Sequence, residues 1–405
     1  MLSLRWVQLR KIVLGLALVI WVLGSAGVAL AGPLNVIVMI ADGMGAEQVK
    51  AGAYYAGAPL SFEGAPHQAQ MITDSESTVT LGGFPTDSAA AATAMSTGQK
   101  VSNFVVSVAT PGDQSHLETM VETFSARGKS TGLVTNSYLT DATPAGFGSH
   151  AIARTLTGTI ASGYLNDTRP DVMLGGGGNG FDPVAAAAAG YTVVTNRTGM
   201  QAIDPLTVGP LVGLFGTSPD GMPYEWDYDQ GFDLGYDTLP FLTEMTSSAL
   251  SVLENDPNGF FLMVEQENTD KAGHEDNSDP HKLARAVFGA IEFSNAVQVV
   301  LDWAAGRTDT LIIVTADHET GGLEVLADNG AGVLPTVAWN GSGFPGWDHS
   351  GVNVPVYAWG PGADLVTGII DNTDIRTIAT VPEPSTVILV AFASLALAGL
   401  RRDCC

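Results

Sequence analysis

Short, strongly apolar runs recur along the chain, separated by alanine-rich stretches or stretches with helical periodicity. The runs are NVIVMIA from Asn35, TGLVTN from Thr131, FFLMVE from Phe260, LIIVTA from Leu311 and VPVYAWG from Val354. They are typical of buried parallel strands. The stretches Ser88–Met95 and 282–304 predict helices between strands. We therefore predict an α/β fold, a three-layer sandwich with a doubly wound, mostly parallel sheet.

Residues 181–240 break this alternation. They contain an alanine run, many turn residues and the aromatic-rich stretch MPYEWDYDQGFDLGYD. We interpret them as an insertion that covers the sheet edge or the mouth of a site, and not as an independent domain. The insertion would belong to one domain over residues 32–378.

The N-terminus has the pattern of a signal peptide. Basic residues at Arg5, Arg10 and Lys11 precede an apolar run that ends in Ala29-Leu30-Ala31, and small residues of this kind mark a signal peptidase site. Residues 1–31 are the predicted signal peptide, and the mature chain would begin near Gly32. An uncleaved membrane anchor is the alternative, and both interpretations predict export.

The C-terminus, residues 381–405, predicts a second targeting segment. Val381-Pro-Glu-Pro384 is followed by the apolar run STVILVAFASLALAGL and then by Arg401 and Arg402. This order resembles the PEP-CTERM sorting signal of Gram-negative bacteria, which an exosortase-type enzyme is thought to process. A simple transmembrane tail anchor is the alternative. Both targeting ends together predict a protein of the periplasm, outer surface or extracellular matrix.

Composition narrows the choice of partners. The formal net charge is −25 at pH 7, and because nucleic acids bind basic surfaces, this charge argues against a nucleic-acid partner. The only cysteines are Cys404 and Cys405, so the exported body has no disulfide framework.

Acidic residues and histidines follow the predicted strands. Asp42 comes after the first apolar run, and Asp317-His318 follows the run LIIVTA. Glu265, Asp270 and His274 form the pattern E-x4-D-x3-H after another run, and His349 precedes the last strand. Ligands bind at the carboxyl ends of strands in open α/β sheets. Oxygen and nitrogen donors in this arrangement predict a site for two or more divalent cations.

Ser88 lies at the start of the alanine-rich helix, in TDSAAAATAMSTG. A hydroxyl there would lie near the positive end of the helix dipole, which favours an alkoxide and an anionic substrate. A plain helix-capping serine is the alternative.

Six segments together resemble the signature segments of the bacterial alkaline phosphatases. They are NVIVMIADGMG, TDSAAAATAMSTG, TDATPA, VEQENTDKAGH, TADHETGG and DHSGVNVPVYAWGPGA, and they occur in the family's order between about Asn35 and Gly362. The resemblance implies hydrolysis of small phosphate monoesters at alkaline pH, with a phosphoserine on Ser88 as the intermediate.

The resemblance also implies two Zn²⁺ ions and one Mg²⁺ ion, with Co²⁺ or Ca²⁺ as substitutes in some relatives. The implied ligands are Asp270, His274 and His349 for one zinc, Asp42, Asp317 and His318 for the second, and Asp42, Thr143 and Glu265 for magnesium. Asp141 and Lys271 are the combination seen in the family's enteric-type enzymes. The resemblance implies that Asp141 lies beside the magnesium ligands and Lys271 near the phosphate.

By the same resemblance, Arg154 corresponds to the arginine that binds the substrate phosphate. Arg127 and Arg169 are the alternatives. Asp87 would orient Arg154 or cap the helix. The resemblance further implies a homodimer. Two other functions stay open at this point: a phosphodiesterase of the same superfamily, and a non-catalytic surface or matrix protein.

Overall fold

All five predicted apolar runs form strands of one large sheet. The computed structural model describes residues 33–216, 221–233, 235–341 and 347–381. Its strands are β1 (Asn35–Ala41), β2 (His67–Ile72), β3 (Ser130–Tyr138), β4 (Val172–Gly176), β5 (Thr192–Val194), β6 (Leu211–Phe215), β7 (Phe260–Gln266), β8 (Thr310–Thr315), β9 (Glu319–Thr320), β10 (Leu323–Ala327), β11 (Thr336–Trp339), β12 (His349–Ser350), β13 (Val354–Trp359) and β14 (Gly368–Asp371). Every residue of β1 and β7 is buried, as expected for strands covered on both faces.

The main sheet has ten strands in the order β14-β2-β13-β8-β1-β7-β3-β4-β6-β5. Strand β13 runs antiparallel to both of its neighbours, and the other neighbouring pairs of this sheet are parallel. The predicted α/β class with a mostly parallel sheet is confirmed. The expectation that Val354–Trp359 is a parallel strand is wrong.

The reversed direction of β13 follows from the path of the chain after β8. Short strands β9 and β12 pair with each other, so that His349 lies opposite Thr320. After the β10–β11 hairpin, the chain is therefore back beside β9, just beyond the carboxyl end of β8, shortly before β13 begins. It re-enters the sheet from that edge, and β13 consequently runs the opposite way.

The described residues contain α-helices of which several pack in two groups. They are α1 (Ala46–Ala56), α2 (Glu76–Leu81), α3 (Ser88–Thr97), α4 (Met120–Ala126), α5 (Ala142–Gly148), α6 (Thr157–Gly163), α7 (Pro183–Ala188), α8 (Arg197–Gln201), α9 (Glu225–Asp229), α10 (Leu242–Leu253), α11 (Asn268–His274), α12 (Lys282–Trp303) and α13 (Asp374–Ala379). Helix α12 packs against α1, α9, α10 and α11, whereas α3 packs against α5 and α13. Short turns of other helix types cover Tyr164–Thr168, Gly235–Asp237 and Ala363–Leu365.

Helix α12 is, within the described residues, the one helix long and apolar enough to cross a membrane. Its apolar window is 61% buried inside the fold, so packing in the core accounts for its composition. The predicted signal peptide and all of the predicted sorting segment after Val381 lie outside the described residues.

Residues 181–240 contribute to the sheet as well as to its surroundings. Strands β5 and β6 lie in this stretch and extend the main sheet beyond β4. All five residues of β6, LVGLF, are buried, as expected for a strand that lies inside the sheet. The aromatic part of the stretch forms α9, which packs on α12.

Candidate active site

Four adjacent strands bring the predicted acidic residues to one edge of the sheet. Strands β8, β1, β7 and β3 are neighbours, and Glu265 near the end of β7 lies in register with Ile40 of β1 and Thr135 of β3. Asp42 directly follows β1, and Asp317 follows β8 by one intervening residue. The carboxyl ends of parallel strands therefore gather these side chains, as the sequence predicted.

The first cluster contains Asp270, His274 and His349. His274 Nε2 lies 3.3 Å from Asp270 Oδ2 and 3.0 Å from His349 Nε2, and His349 Nε2 lies 3.5 Å from Asp270 Oδ1. Helix α11 places Asp270 and His274 one turn apart, and the pairing of β12 with β9 delivers His349 from far along the chain. Facing nitrogens at 3.0 Å suit a shared cation.

Two contacts orient the imidazoles of this cluster. His274 Nδ1 lies 2.9 Å from Asp348 Oδ2, and His349 Nδ1 lies 2.9 Å from the carbonyl oxygen of Thr86. The Nε2 atom of each ring is thereby directed toward the cluster, which is how histidine ligands are usually held.

The second cluster contains Asp42, Asp317 and His318. His318 Nε2 lies 3.1 Å from Asp317 Oδ2 and 3.6 Å from Asp42 Oδ1. All three residues are at most 1% exposed. Asp42 Oδ1 and Asp317 Oδ2 have no hydrogen-bond partner. Buried carboxylate oxygens without partners are unfavourable, and a bound cation would satisfy them.

The third cluster lies on the other side of Asp42. Thr143 Oγ1 donates to Asp42 Oδ2 at 3.3 Å, and Glu265 is completely buried with its Oε1 unpartnered. Asp42, Glu265 and Glu267 have carboxylate oxygens within 4.8 Å of one another. The donors of this cluster are all oxygen, in contrast to the two clusters that contain histidine.

The clusters carry a surplus of negative charge that shows in their pKa values. Burial and nearby carboxylates, Asp317 first, raise the pKa of Asp42 well above its usual value. Burial, with Asp141 and Asp317, raises the pKa of Glu265 to about 8. Burial, with Asp270, raises the pKa of Asp317 to about 7. Cations at these positions would offset the surplus negative charge and thereby lower these pKa values.

The histidines divide between charged and neutral forms. Burial disfavours a charged His274, but Asp270 and Asp348 outweigh it and raise its pKa to about 9. Burial and the neighbouring His349 lower the pKa of His318 well below its usual value. Neutral imidazole is the form that binds a metal, so His318 is already in that form at pH 7.

Ser88 begins helix α3 and lies beside the second cluster. Its Oγ is 3.2 Å from His318 Nε2, and the residue is 4% exposed. Asp87 caps the helix, because its Oδ1 accepts from the N–H of Ala90 at 3.1 Å. The capping role considered for Ser88 therefore belongs to Asp87, and the Ser88 hydroxyl faces the histidine.

Arg154 connects Asp87, the residue before Ser88, to the loop that follows β3. Its Nη1 donates to Asp87 Oδ2 at 3.2 Å and its Nη2 donates to Asp141 Oδ1 at 2.8 Å. The two rivals lie elsewhere: Arg127 donates to the carbonyl of Thr380, and Arg169 to those of Leu165 and Ala189. Of the three arginines, Arg154 is the one held beside Ser88.

A cavity of about 580 Å³ opens beside the first and third clusters. Its lining includes Asp141, Glu267, Asp270, Lys271 and His274, together with Tyr224. Lys271 Nζ donates to the carbonyl of Met222 at 3.4 Å. Tyr224 and Met222 belong to the 181–240 stretch, which thus forms part of the cavity wall.

Sequence reasoning placed every predicted metal-binding residue at this edge but missed several partners. Thr320 donates to Asp270, and Thr135 donates to Glu265. Asp348 contacts His274. A single hydroxyl or carboxylate in a loop carries no distinguishing signal. Glu267 was also missed, although a second glutamate two residues after Glu265, just beyond the end of β7, could have indicated it.

Comparisons with known proteins agree with this geometry. A sequence model of the family described as alkaline phosphatase matches residues 34–342. The chain is 31% identical to alkaline phosphatase 3 of Bacillus subtilis, over 84% of this chain and 87% of that one. It is 32% identical to alkaline phosphatase H of Pseudomonas aeruginosa, over 84% and 83% of the two chains.

Solved structures give the same assignment. The alkaline phosphatase of the Antarctic bacterium TAB5 has a TM-score of 0.72 and 27% identity, over 86% of this chain and 97% of that one. One structure of a TAB5 variant has Mg bound in its M3 site. The sequence match over most of the chain and the matching fold show that this protein belongs to the alkaline phosphatase family.

Proposed function

We propose that the chain hydrolyses phosphate monoesters at alkaline pH through a phosphoserine on Ser88. The observation that carries this proposal is the position of the Ser88 hydroxyl, 3.2 Å from His318 Nε2. His318 lies within ligand distance both of Asp270 with His349 and of Asp42 with Asp317. Family membership makes phosphate monoesters the expected substrates. Attack by Ser88 and then by water would give two displacements, and hence net retention of configuration at phosphorus.

The donor sets support two zinc-type sites and one magnesium-type site. Asp270, His274 and His349 would hold one Zn²⁺, and Asp42, Asp317 and His318 the other, because mixed oxygen and nitrogen donors suit zinc. Asp42, Thr143 and Glu265 offer only oxygen, which suits Mg²⁺. When bound, these cations supply Lewis acidity, which lowers the pKa of hydroxyl nucleophiles and offsets charge on phosphoryl oxygens. Co²⁺ or Ca²⁺ would fit similar donors.

Arg154 would position the phosphoryl group. Its guanidinium is held by Asp87 and Asp141, two carboxylates on different segments, so its plane is fixed before substrate arrives. Arginine can contact two phosphoryl oxygens at once. Lys271, on the cavity wall, would add a second positive charge on the phosphate side. Asp141 would support both the arginine and the oxygen-only cation.

The test compares p-nitrophenyl phosphate with bis-p-nitrophenyl phosphate on purified protein, before and after chelation. We expect the monoester to be the better substrate, activity to disappear on chelation, and Ser88→Ala to abolish phosphate incorporation into protein trapped at low pH. Metal content of the Ser88→Ala variant should be unchanged. Monoester activity that survives both the substitution and chelation would refute the proposal, and faster diester hydrolysis would favour the phosphodiesterase alternative.

We further propose that the protein is exported and acts outside the cytoplasm. The signal-peptide pattern in residues 1–31 and the Pro-Glu-Pro, apolar and arginine pattern in residues 381–405 support this placement. Fractionation of a Gram-negative host that has an exosortase-type enzyme, with and without deletion of residues 382–405, tests it. Retention of the parent protein in the cytoplasm would contradict it. The homodimer stays a prediction that light scattering can check.

A further inference from the structure

Glu267 belongs to the third cluster, whose donors are all oxygen, but no role has been assigned to it. Its carboxylate, with those of Asp42 and Glu265, forms a group whose oxygens lie within 4.8 Å of one another. Glu265 lies in β7, which ends at Gln266, and Glu267 follows β7 directly with a helical backbone conformation. The two carboxylates nevertheless both lie close to that of Asp42.

The neighbouring carboxylates direct oxygens toward a cation in this cluster. Glu265 uses Oε2 to accept from Thr135, which leaves the buried Oε1 without a partner. Asp42 directs Oδ2 toward this cluster, where it accepts from Thr143, whereas its free Oδ1 faces His318 of the second cluster. These residues are 0% and 1% exposed, so water does not satisfy the free oxygens readily.

The backbone of Glu267 is fixed, whereas its carboxylate is available. The N–H donates to Asn136 Oδ1 at 2.7 Å, and the carbonyl accepts from Asp270 at the start of α11. Among the described residues, none forms a hydrogen bond with the Glu267 carboxylate. The residue is 9% exposed and lines the 580 Å³ cavity, so a cation arriving from solvent can reach it.

We propose that Glu267 is a third carboxylate ligand of the magnesium-type site, an inference that rests on the proposed function. Together with Asp42, Glu265 and the Thr143 hydroxyl, it makes the site entirely oxygen-lined with three negative charges. Hard cations such as Mg²⁺ and Mn²⁺ prefer such donors, whereas Zn²⁺ is better served by sites with histidine. With Glu267, the magnesium-type site would differ from the two zinc-type sites in having a third carboxylate and no histidine.

A different role for Glu267 would be to pair with Lys271, one helical turn further on. The positive charge of Lys271 acts to lower the pKa of Glu267. Burial and the nearby carboxylates outweigh it, so that the pKa of Glu267 is raised overall. In that arrangement Glu267 would tune substrate binding and leave cation affinity unchanged. Cation affinity therefore distinguishes the two roles.

The experiment uses zinc-loaded protein depleted of magnesium, with Mn²⁺ as a spectroscopic probe and Mg²⁺ as its competitor. Electron paramagnetic resonance titration gives the Kd for Mn²⁺, and displacement gives the Kd for Mg²⁺. We expect Glu267→Gln to raise both constants by about 10- to 100-fold without changing the zinc content. Glu267→Asp should restore part of the affinity. Asp276→Asn, an exposed charge just after α11, is the matched control and should leave both constants unchanged.

Unchanged Mn²⁺ and Mg²⁺ affinity in a folded Glu267→Gln variant would overturn the inference, as would a change confined to the KM for p-nitrophenyl phosphate. The melting temperature of the metal-free variant verifies folding. Glu265→Gln separates this failure from failure of the proposed function. If Glu265→Gln loses the cation and Glu267→Gln does not, only the role of Glu267 is refuted. If both variants retain it, the oxygen-only site itself has been placed wrongly.

Discussion

Asp348 Oδ2 lies 2.9 Å from His274 Nδ1 and so fixes the imidazole that faces Asp270 and His349. We predict that Asp348→Ala lowers zinc affinity at this site by about 10- to 100-fold, because the ring loses the partner that sets its orientation and proton position. Zinc content after dialysis against a competing chelator measures the effect.

The control for this change is Asp364→Ala, which removes an exposed carboxylate and should leave zinc content unchanged. Equal zinc retention by Asp348→Ala and the parent protein would mean that the ring is held in place by other contacts.

Arg154→Lys should raise the KM for a phosphate monoester and the inhibition constant for inorganic phosphate, each by about tenfold or more. Lysine keeps the charge but cannot span Asp87 and Asp141 while also contacting two phosphoryl oxygens. Steady-state kinetics with phosphate as inhibitor measure both constants. Arg127→Lys is the matched control, because the Arg127 guanidinium donates to the carbonyl of Thr380. A larger effect in the control than in Arg154→Lys would assign the phosphate contact to Arg127.

Metal-free protein should lose stability as the pH rises from 7 to 9.5. The folded-state pKa values of Asp317, Glu265 and His274 are raised to about 7, 8 and 9. Because the folded state binds protons that the unfolded chain releases earlier, the free energy of unfolding falls as the pH passes through these values. The lowered pKa values of Asp270 and His318 act below this range.

Melting temperatures at several pH values, with and without a chelator, test this expectation. The loaded protein should change less across the same range, because its carboxylates are already ionised against cations. A metal-free melting temperature that rises between pH 7 and 9.5 would contradict the sign of the effect.

Arg285 holds the aromatic part of the 181–240 stretch against α12. Its guanidinium pairs with Asp227 at 2.9 Å and with Glu275 at 2.6 Å, and it lies 4.8 Å from the ring of Tyr224. We predict that Arg285→Ala lowers the free energy of unfolding by about 1–3 kcal/mol and alters KM more than zinc content, since Tyr224 lines the cavity.

Urea denaturation and kinetics on the same preparation check the two effects. Arg307→Ala removes a more exposed pair with Glu254 and should cost less stability. If both substitutions cost the same and leave KM unchanged, the contact of Arg285 with the cavity wall has no role in substrate binding.

The sequence predicted the central strands well because their signal is local. Strands such as Asn35–Ala41 are apolar throughout, and an acid that directly follows such a run must lie at a strand end. Strand direction is not local: Val354–Trp359 has the composition of a parallel strand, but the chain's return along β9 and β12 reverses it. Strands β5 and β6 were not predicted, because they are short and lie in a stretch that is rich in turn and aromatic residues.

The candidate site was predictable where the resemblance supplied a motif. Its supporting contacts depend on distant segments that meet only in the folded chain, such as Asp348 with His274 or Thr320 with Asp270. No spacing in the sequence reports such meetings. Glu267 is intermediate, since it lies within a recognised segment at a position that the resemblance leaves without a role.

Asp42 faces two clusters at once, with Oδ1 toward His318 and Oδ2 toward Thr143. Occupancy of either site would therefore fix the orientation and charge of a group that the other site also needs. Such linkage is reciprocal: the factor by which zinc alters magnesium affinity equals the factor by which magnesium alters zinc affinity. The enzyme's response to scarcity of one metal would consequently depend on its supply of the other.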